Sequence, residues 1–264
     1  MVSDTPVIKL KDPVSVRVEG VSKHFGNQAV LSDIGFDVSP GEIFVIMGPS
    51  GSGKSVLLKN IIGLELPDSG KIEIGGLDAS HPETHRKILT SMVFQSGALF
   101  NSLTVYDNLA FYPREHELYS EAELGRRVND VLEMLSLSNA AEKHPSELSG
   151  GMRKRVAIAR TLMMEPQLIL YDEPTSELDP IMAATICEVI ATLRKELGVT
   201  SIVVTHDTHV AESIADRVAV LMDGGIRVIA SPGELKRIED ERVRDFLNPT
   251  INLEHPRFKT GKNS

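Results

Sequence analysis

The chain has 264 residues, 41% of them hydrophobic, which is enough to bury one sizeable core and typical of a single α/β domain with subdivisions. Its formal net charge of −9 argues against a nucleic-acid-binding protein, because such domains are usually strongly basic. The single cysteine, Cys187, excludes a disulfide framework within the chain and is expected to be a buried core residue. No apolar run approaches the roughly 20 residues of a membrane-spanning helix.

The sequence pattern of residues 1–38 predicts a flexible tail followed by two strands. Residues 1–13 are polar, contain two prolines and lack the pattern of a secretory signal, so we expect a flexible segment. Alternating apolar and polar residues predict half-buried strands at 14–21 and 29–38. Phe25 lies between them, where its ring could stack on a purine base or simply flank the turn as a core residue.

Residues 48–55 read Gly-Pro-Ser-Gly-Ser-Gly-Lys-Ser and match the pattern of a phosphate loop. A buried-strand pattern at 42–47 precedes them and a helical pattern at 56–62 follows, which is the context that the motif requires. Its glycines let backbone N–H groups turn toward phosphate oxygens. Lys54 is expected to reach the β- and γ-phosphates of a nucleoside triphosphate, and the Ser55 hydroxyl to bind Mg²⁺. The loop residues assigned to the nucleotide are Gly48, Pro49, Ser50, Gly51, Ser52, Gly53, Lys54 and Ser55.

The middle of the chain changes from strand to helical patterns. Short strands are predicted at 71–74 and 91–94, and the second ends at Gln95. Polar residues at the carboxyl ends of parallel strands lie where open α/β sheets bind ligands. From about 98 to 164 the spacing is helical, which predicts a helical subdomain inserted into the sheet domain.

The last helix of this subdomain follows Ser149, Gly150 and Gly151. Serine is a favourable N-cap, and two glycines leave the helix end bare of side chains, so the stretch suits a second anion site. An ordinary capped helix with a glycine-weakened start explains the same residues.

The apolar run 168–171 ends in Asp172 and Glu173, as expected for a central parallel strand buried on both faces. Beside a phosphate loop, such a strand end supplies one acid for Mg²⁺ and a second for the attacking water. Solvated charges at a strand end are the alternative.

Three further strand patterns follow a predicted helix that runs to residue 196. The strand at 201–205 ends at His206, at the same edge as the acidic pair, which favours a functional histidine over a structural one. Strands are also predicted at 218–222 and 226–229, and an extended polar tail at 248–264.

Taken together, these motifs resemble the ATP-binding cassette of membrane transporters over nearly the whole chain. The matching parts are the Walker A loop at 48–55, the Q-loop at Gln95, the signature at 148–151, Walker B at 168–172 with Glu173, the D-loop at 176–179 and the switch histidine His206. The resemblance implies an α/β P-loop fold over residues 14–247, with a mostly parallel core sheet, an antiparallel β subdomain and the inserted helical subdomain.

The resemblance also implies the roles of the site residues. Two copies would pair head to tail, and each ATP would meet the Walker A loop of one copy and the Ser149, Gly150 and Gly151 helix end of the other. Glu173 would activate water and His206 would contact the γ-phosphate. The residues that would order Mg²⁺ are Ser55, Gln95 and Asp172; the remaining nucleotide contacts would come from Phe25, Val56 and Asp179.

Four positions depart from the common cassette pattern. Phe25 replaces a frequent tyrosine, Val56 a frequent threonine and Met152 a frequent glutamine, so these positions lose side-chain polar groups. Glu177 stands in the D-loop where a small residue is usual. We expect its carboxylate, close to the phosphates of the dimer, to weaken the ATP-bound pair by like-charge repulsion.

Among cassettes, the chain looks most like the ATPases of bacterial MCE-linked lipid transporters, the Mla system. The segments that carry this likeness are 94–100, 107–116, 145–152 and 242–247. It implies phospholipid as cargo, a second copy of the chain, a transmembrane permease, an MCE-domain protein and a small STAS-type protein as partners, no nucleic acid, and a peripheral place on the cytoplasmic face of the inner membrane.

Three alternatives are left. A solute importer or a small efflux pump would use the same cassette motifs. Soluble cassette proteins of translation or DNA repair generally carry two cassettes or long coiled coils, neither of which this sequence contains. A P-loop kinase or GTPase would leave Gln95, His206 and the Ser149-Gly150-Gly151 stretch without a purpose.

Overall fold

The computed structural model describes residues 10–249, so most of the predicted N-terminal segment (1–13) and C-terminal tail (248–264) lies outside the described residues. In chain order the strands are β1 (Val16–Phe25), β2 (Gln28–Val38), β3 (Ile43–Met47), β4 (Ser69–Ile74), β5 (Leu77–Asp78), β6 (Thr90–Val93), β7 (Leu168–Asp172), β8 (Thr200–Thr205), β9 (Arg217–Met222) and β10 (Gly225–Ala230). The helices are α1 (Lys54–Ile61), α2 (Pro82–Lys87), α3 (Val105–Glu115), α4 (Glu121–Met134), α5 (Gly150–Leu162), α6 (Pro180–Leu197), α7 (Thr208–Ile214), α8 (Pro232–Leu235) and α9 (Glu241–Leu247).

A six-stranded sheet with the order β10-β9-β3-β8-β7-β6 forms the centre of the fold. Its strands pair in parallel, except for β10, which pairs antiparallel with β9. Strands β3, β7 and β8 are buried along their whole length, which explains why their sequences are continuous apolar runs. Parallel pairing brings the carboxyl ends of β3, β6, β7 and β8 to one edge, where the predicted site residues begin.

Each face of this sheet belongs to a separate core. Alternate residues of β3 divide between them: Phe44 and Ile46 pack with α1 and the antiparallel sheet, whereas Val45 packs with the helices of the other side. The antiparallel sheet has the order β2-β1-β4-β5. Phe36 of β2 stacks on Phe44 with 5.1 Å between ring centroids, which joins the two sheets.

The helical subdomain consists of α3, α4 and α5, and residues 98–164 contain no strand. Helix α4 buries Leu124, Val128, Val131 and Leu132, which lie on one face because their spacing follows the helical repeat. The Ser120 hydroxyl caps this helix by accepting a hydrogen bond from the N–H of Glu123. The predicted fold class, including the antiparallel and helical parts, is therefore confirmed.

Several element bounds differ from the sequence patterns. Strand β1 continues to Phe25, beyond the predicted end at Val21, because irregular pairing with β2 after Val18 disrupts the alternation that marks a strand. The sequence patterns did not predict α2, α7, α8 and α9, which have four to seven residues and are too short to show a helical repeat. Within residues 10–249, no helix is long and apolar enough to cross a membrane.

Replacing Leu170 with alanine is expected to lower the free energy of unfolding by about 2–5 kcal/mol, because this fully buried side chain of β7 would leave a cavity. Chemical denaturation followed by circular dichroism measures the change. Leu64→Ala is the matched control, since Leu64 is 63% exposed and should contribute no more than about 0.5 kcal/mol. Equal effects of the two substitutions would contradict the central position of β7.

Candidate functional site

The phosphate loop connects β3 to α1 and requires glycine for two separate reasons. Gly51 and Gly53 have left-handed backbones, with φ of +82° and +101°. A Cβ atom at Gly48 would lie 2.1 Å from the carbonyl oxygen of Leu221, so no other residue fits there. Gly53 is also the N-cap of α1 and offers no side-chain cap, which leaves the positive helix end open to an anion.

The Lys54 ammonium lies at the centre of the loop, and Lys54 is only 7% exposed. It donates to the carbonyl oxygens of Gly48 at 2.8 Å and Pro49 at 3.1 Å, and lies 3.7 Å from Glu173 Oε1. Burial lowers the pKa of Lys54, and the neighbouring carboxylates Glu173 and Asp172 oppose that shift. The loop therefore holds a positive charge beside the acidic end of β7.

A hydroxyl and a carboxylate meet beside the loop. Ser55 Oγ donates to Asp172 Oδ1 at 2.8 Å, and burial is the main reason why the pKa of Asp172 is raised. Oxygen ligands of this kind suit Mg²⁺, which usually takes one or two protein groups and completes its shell with phosphate oxygens and water. The Ser55 and Asp172 pair therefore fits Mg²⁺ bound together with a nucleotide. Within residues 10–249, no group of three or more His, Cys, Asp or Glu side chains able to hold a metal is present.

Glu173 is held at the ends of β7 and β8 by contacts to both of its oxygens. Oε2 lies 3.0 Å from His206 Nδ1 and accepts from the Thr205 hydroxyl at 3.3 Å, while Oε1 faces Lys54. The backbone of Glu173 is left-handed, with φ of +48°, which turns the chain sharply at the end of the strand. His206 has a half-exposed side chain, so it remains accessible from the cavity.

A cavity of about 350 Å³ is lined by half of the predicted site residues. Its lining consists of Val30, Ser50, Gly51, Gly53, Lys54, Ser55, Val56, Gln95, Glu173 and His206. Sequence reasoning missed Val30, whose carbonyl oxygen lies 2.9 Å from the Cβ position of Gly53. The sequence shows Val30 only as part of the strand pattern of β2, and that pattern does not reveal that β2 lies beside the phosphate loop.

The signature residues lie elsewhere, and none of Ser149, Gly150 and Gly151 lines the cavity of the phosphate loop. Ser149 is exposed, and its Oγ accepts from the N–H of Met152 at 3.3 Å, so it caps α5. A Cβ atom at Gly151 would lie 2.8 Å from Met182 Sδ. Gly151 therefore permits close packing of α5 on α6, in addition to leaving the helix end without a side chain.

Two other predicted nucleotide contacts also lie outside that cavity. Asp179 caps α6, because its Oδ1 accepts from the N–H groups of Ile181 and Met182 at 3.0 Å. Phe25 is 49% exposed at the end of β1, which excludes the alternative of a core residue beside the turn. The Lys23 ammonium lies 5.5 Å from the centroid of its ring. The roles of both residues stay predictions.

Cys187 is buried in α6, as expected from its apolar surroundings. Burial raises the pKa of its thiol to about 11, so the reactive thiolate is scarce at neutral pH.

Comparison with known proteins agrees with this geometry. A family model described as "ABC transporter" matches residues 31–176. The chain is 40% identical to a probable ribonucleotide transport ATP-binding protein, mkl, of Mycobacterium leprae, covering 89% of this chain and 69% of the relative. It is 41% identical to the sulfate/thiosulfate import ATP-binding protein CysA of Yersinia pseudotuberculosis, covering 91% and 67%.

Two solved structures share the fold. One is the dimeric, post-hydrolysis ATP-binding cassette MJ0796 bound to ADP and Pi, with a TM-score of 0.74, 33% identity and coverage of 82% of this chain and 98% of that one. The other is cbiO1 from Clostridium perfringens, part of the transporter complex cbiONQ, with a TM-score of 0.78, 30% identity and coverage of 90% and 97%. The chain therefore belongs to the ABC transporter family and is an ATPase subunit that uses ATP with Mg²⁺, in a family whose cassettes dimerise and pair with transmembrane permeases.

Proposed function

We propose that this chain is the motor of a bacterial phospholipid transporter, bound to a permease at the cytoplasmic face of the inner membrane. The observation that carries the proposal is the location of the segments that resemble lipid-transporter ATPases. Segments 94–100 and 145–152 both line a groove of about 880 Å³ that extends from Ser55 and Asp172 to α5. Two of the four segments that carry the likeness therefore line a surface that a cytoplasmic helix of a permease could occupy.

Segment 107–116 is the third that resembles lipid-transporter ATPases, and its side chains hold Phe100 of segment 94–100 in place. Buried Asn108 of α3 accepts from the N–H of Phe100 at 2.9 Å and donates to its carbonyl oxygen at 3.1 Å. These bonds hold Phe100 against Phe111, with 4.8 Å between ring centroids, although the two residues are 44% and 42% exposed. An exposed aromatic pair of this kind suits contact with a protein partner.

Import of a solute is the second candidate function. The relatives at 40–41% identity are named for ribonucleotide transport and sulfate/thiosulfate import, and those names describe their own substrates. In either case, this chain would supply the ATP hydrolysis, and its partners would select the cargo.

In the proposed reaction, Lys54 and the N–H groups of the loop hold the phosphates of ATP. Ser55 and Asp172 would hold Mg²⁺, with Gln95 contributing to its water shell; a bound ion would supply neutralisation of charge on the phosphates. Glu173 orients and deprotonates the attacking water, which its fixed position between Lys54 and His206 supports. His206 remains free to contact the γ-phosphate because its side chain is half-exposed.

We propose that a second copy completes this site. Ser149 lies at the exposed start of α5, apart from the loop cavity of its own chain, and the similar cassette MJ0796 is dimeric. In a head-to-tail pair, the positive ends of α1 and of the partner's α5 would face the same triphosphate. ATP would then hold the pair together and hydrolysis would release it.

Ser149→Asp is expected to reduce ATP-dependent pairing and turnover at least about tenfold, because aspartate keeps the N-cap but places a negative charge beside the γ-phosphate. Size-exclusion chromatography with ATP measures pairing, and phosphate release measures turnover. Ser120→Asp makes the same change at the cap of α4 and should alter neither. An active, pairing Ser149→Asp variant would contradict the shared site.

Glu177→Gln is expected to lower the dissociation constant of the ATP-dependent pair about two- to fivefold at low salt. Removing an exposed like-charge contact of roughly 0.5–1 kcal/mol has an effect of this size. The dissociation constant of the pair, measured in a Glu173→Gln background to limit hydrolysis, should show a smaller effect at high salt. Glutamine is a cleaner replacement than glycine, because Glu177 has a left-handed backbone with φ of +65° and glycine would also relieve strain.

Glu117→Gln is the matched control for this substitution. Glu117 is also an exposed glutamate with a left-handed backbone, with φ of +49°, but lies after α3. Its replacement should leave pairing unchanged. If Glu177→Gln has no effect on pairing at any salt concentration, the repulsion that we expect at this position does not exist.

Co-purification from detergent-solubilised membranes distinguishes the two candidate functions. A lipid transporter is expected to yield a permease, an MCE-domain protein, a small STAS-type protein and bound phospholipid. A soluble sugar-, nucleotide- or anion-binding protein in place of that set would contradict the lipid proposal and support import. Phe111→Ser, on the exposed aromatic pair, should reduce recovery of the permease, whereas Leu64→Ser, at another exposed apolar residue, should not.

A further inference from the structure

Lys154 is a buried cation in α5 that has no part in the reaction described above. The residue is 7% exposed. Its ammonium donates to the carbonyl oxygen of Gln95 at 2.5 Å, the hydroxyl of Ser176 at 3.2 Å and the carbonyl oxygen of Glu173 at 3.4 Å. One side chain thus joins the end of β6, the end of β7 and the D-loop to the signature helix.

Keeping the positive charge of Lys154 in this buried position costs free energy. All three acceptors are neutral oxygen atoms, and burial lowers the pKa of the ammonium. The carboxylates that oppose the shift are those of Glu177, Glu173 and Asp172, which belong to the D-loop and the acidic strand end. A hydrophobic residue would avoid this cost, so packing alone is a poor explanation of a lysine here.

The contacts of Lys154 involve residues of the site itself. Gln95 and Glu173 line the cavity of the phosphate loop, and their carbonyl oxygens accept from Lys154. Lys154 also lines the groove that contains Ser55 and Asp172. Ser176 begins the D-loop. Lys154 also follows Ser149 by five residues, so any displacement of the signature is transmitted to these three segments by a short, continuous helix.

A second side chain of α5 holds the same segment. Arg160 donates to the carbonyl oxygens of Ala98 at 2.7 Å and Gly97 at 3.3 Å. Residues 95–98 are therefore fastened to α5 at both ends. This second anchor makes it possible to separate loss of Lys154 from general loss of the Q-loop position.

We propose that Lys154 is a positioning residue for ATP hydrolysis. It fixes the carbonyl groups of Gln95 and Glu173 and the hydroxyl of Ser176 relative to α5, the helix that begins at the signature. It thereby places the Glu173 carboxylate to activate the attacking water only when α5 is in its correct position. The inference rests on the proposed role of Glu173 as the group that activates water. In this proposal, Lys154 acts through the residues that it holds.

The test compares Lys154→Met, Lys154→Gln and Arg155→Met in the full chain. Lys154→Met keeps the length of the side chain but loses the donors, and we expect kcat to fall tenfold or more, with the ATP dissociation constant and the melting temperature nearly unchanged. Lys154→Gln retains an N–H donor and should recover part of kcat. A purely structural lysine would instead lower the melting temperature and spare kcat.

Arg155→Met is the matched control. Arg155 lies on the same helix, but its hydrogen bonds to residues 10–249 all remain inside the helical subdomain, at the carbonyl oxygens of Leu135 and Ser136. Its loss should leave kcat within about twofold of the unmodified chain. Equal losses of kcat for Arg155→Met and Lys154→Met would overturn the proposal, as would a normal kcat for Lys154→Met.

Glu173→Gln separates this inference from the proposed mechanism. If Glu173→Gln abolishes turnover and Lys154→Met does not reduce it, the positioning role is wrong and the mechanism stands. If Glu173→Gln turns over normally, the role of Glu173 fails, and the positioning inference fails with it. Loss of turnover in both variants, with ATP binding retained, supports both.

Discussion

The hydrogen bond between Ser55 and Asp172 is the contact on which the site depends. At 2.8 Å it joins the start of α1 to the end of β7, two segments separated by more than a hundred residues of chain. With the phosphate loop fixed in this way, Lys54 lies 3.7 Å from Glu173. The positive loop and the acidic strand end thus occupy one small region, as phosphate and Mg²⁺ together require.

This arrangement is possible because the central sheet is parallel and buried on both faces. Strands β3, β7 and β8 lie side by side, so the loop, the acidic pair and His206 all emerge at the same edge. The two cores on either side of the sheet hold these strands in place. The stability of the fold and the geometry of the site therefore have the same physical origin.

Helix α5 connects this site to the surfaces that we propose for the second copy and the permease. It begins with the exposed Ser149, is anchored to the Q-loop by Lys154 and Arg160, and borders the groove proposed for the permease. A motor needs such a connection, since ATP binding must alter a surface that does not touch ATP. In the proposed connection, most of the contacts are hydrogen bonds from Lys154 and Arg160 to backbone carbonyl groups, which are directional and therefore sensitive to small shifts.

The sequence alone determined the fold class and the nucleotide chemistry. Glycine spacing in 48–55, the apolar run before Asp172 and strand ends at Gln95 and His206 are local patterns with local physical causes. It could not show the contribution of Val30 to the cavity, the packing of Gly151 against Met182 or the buried contacts of Lys154. These three contacts join segments that are separated in the sequence. They form only when the sheet and the helices pack together, so the tertiary structure alone decides them.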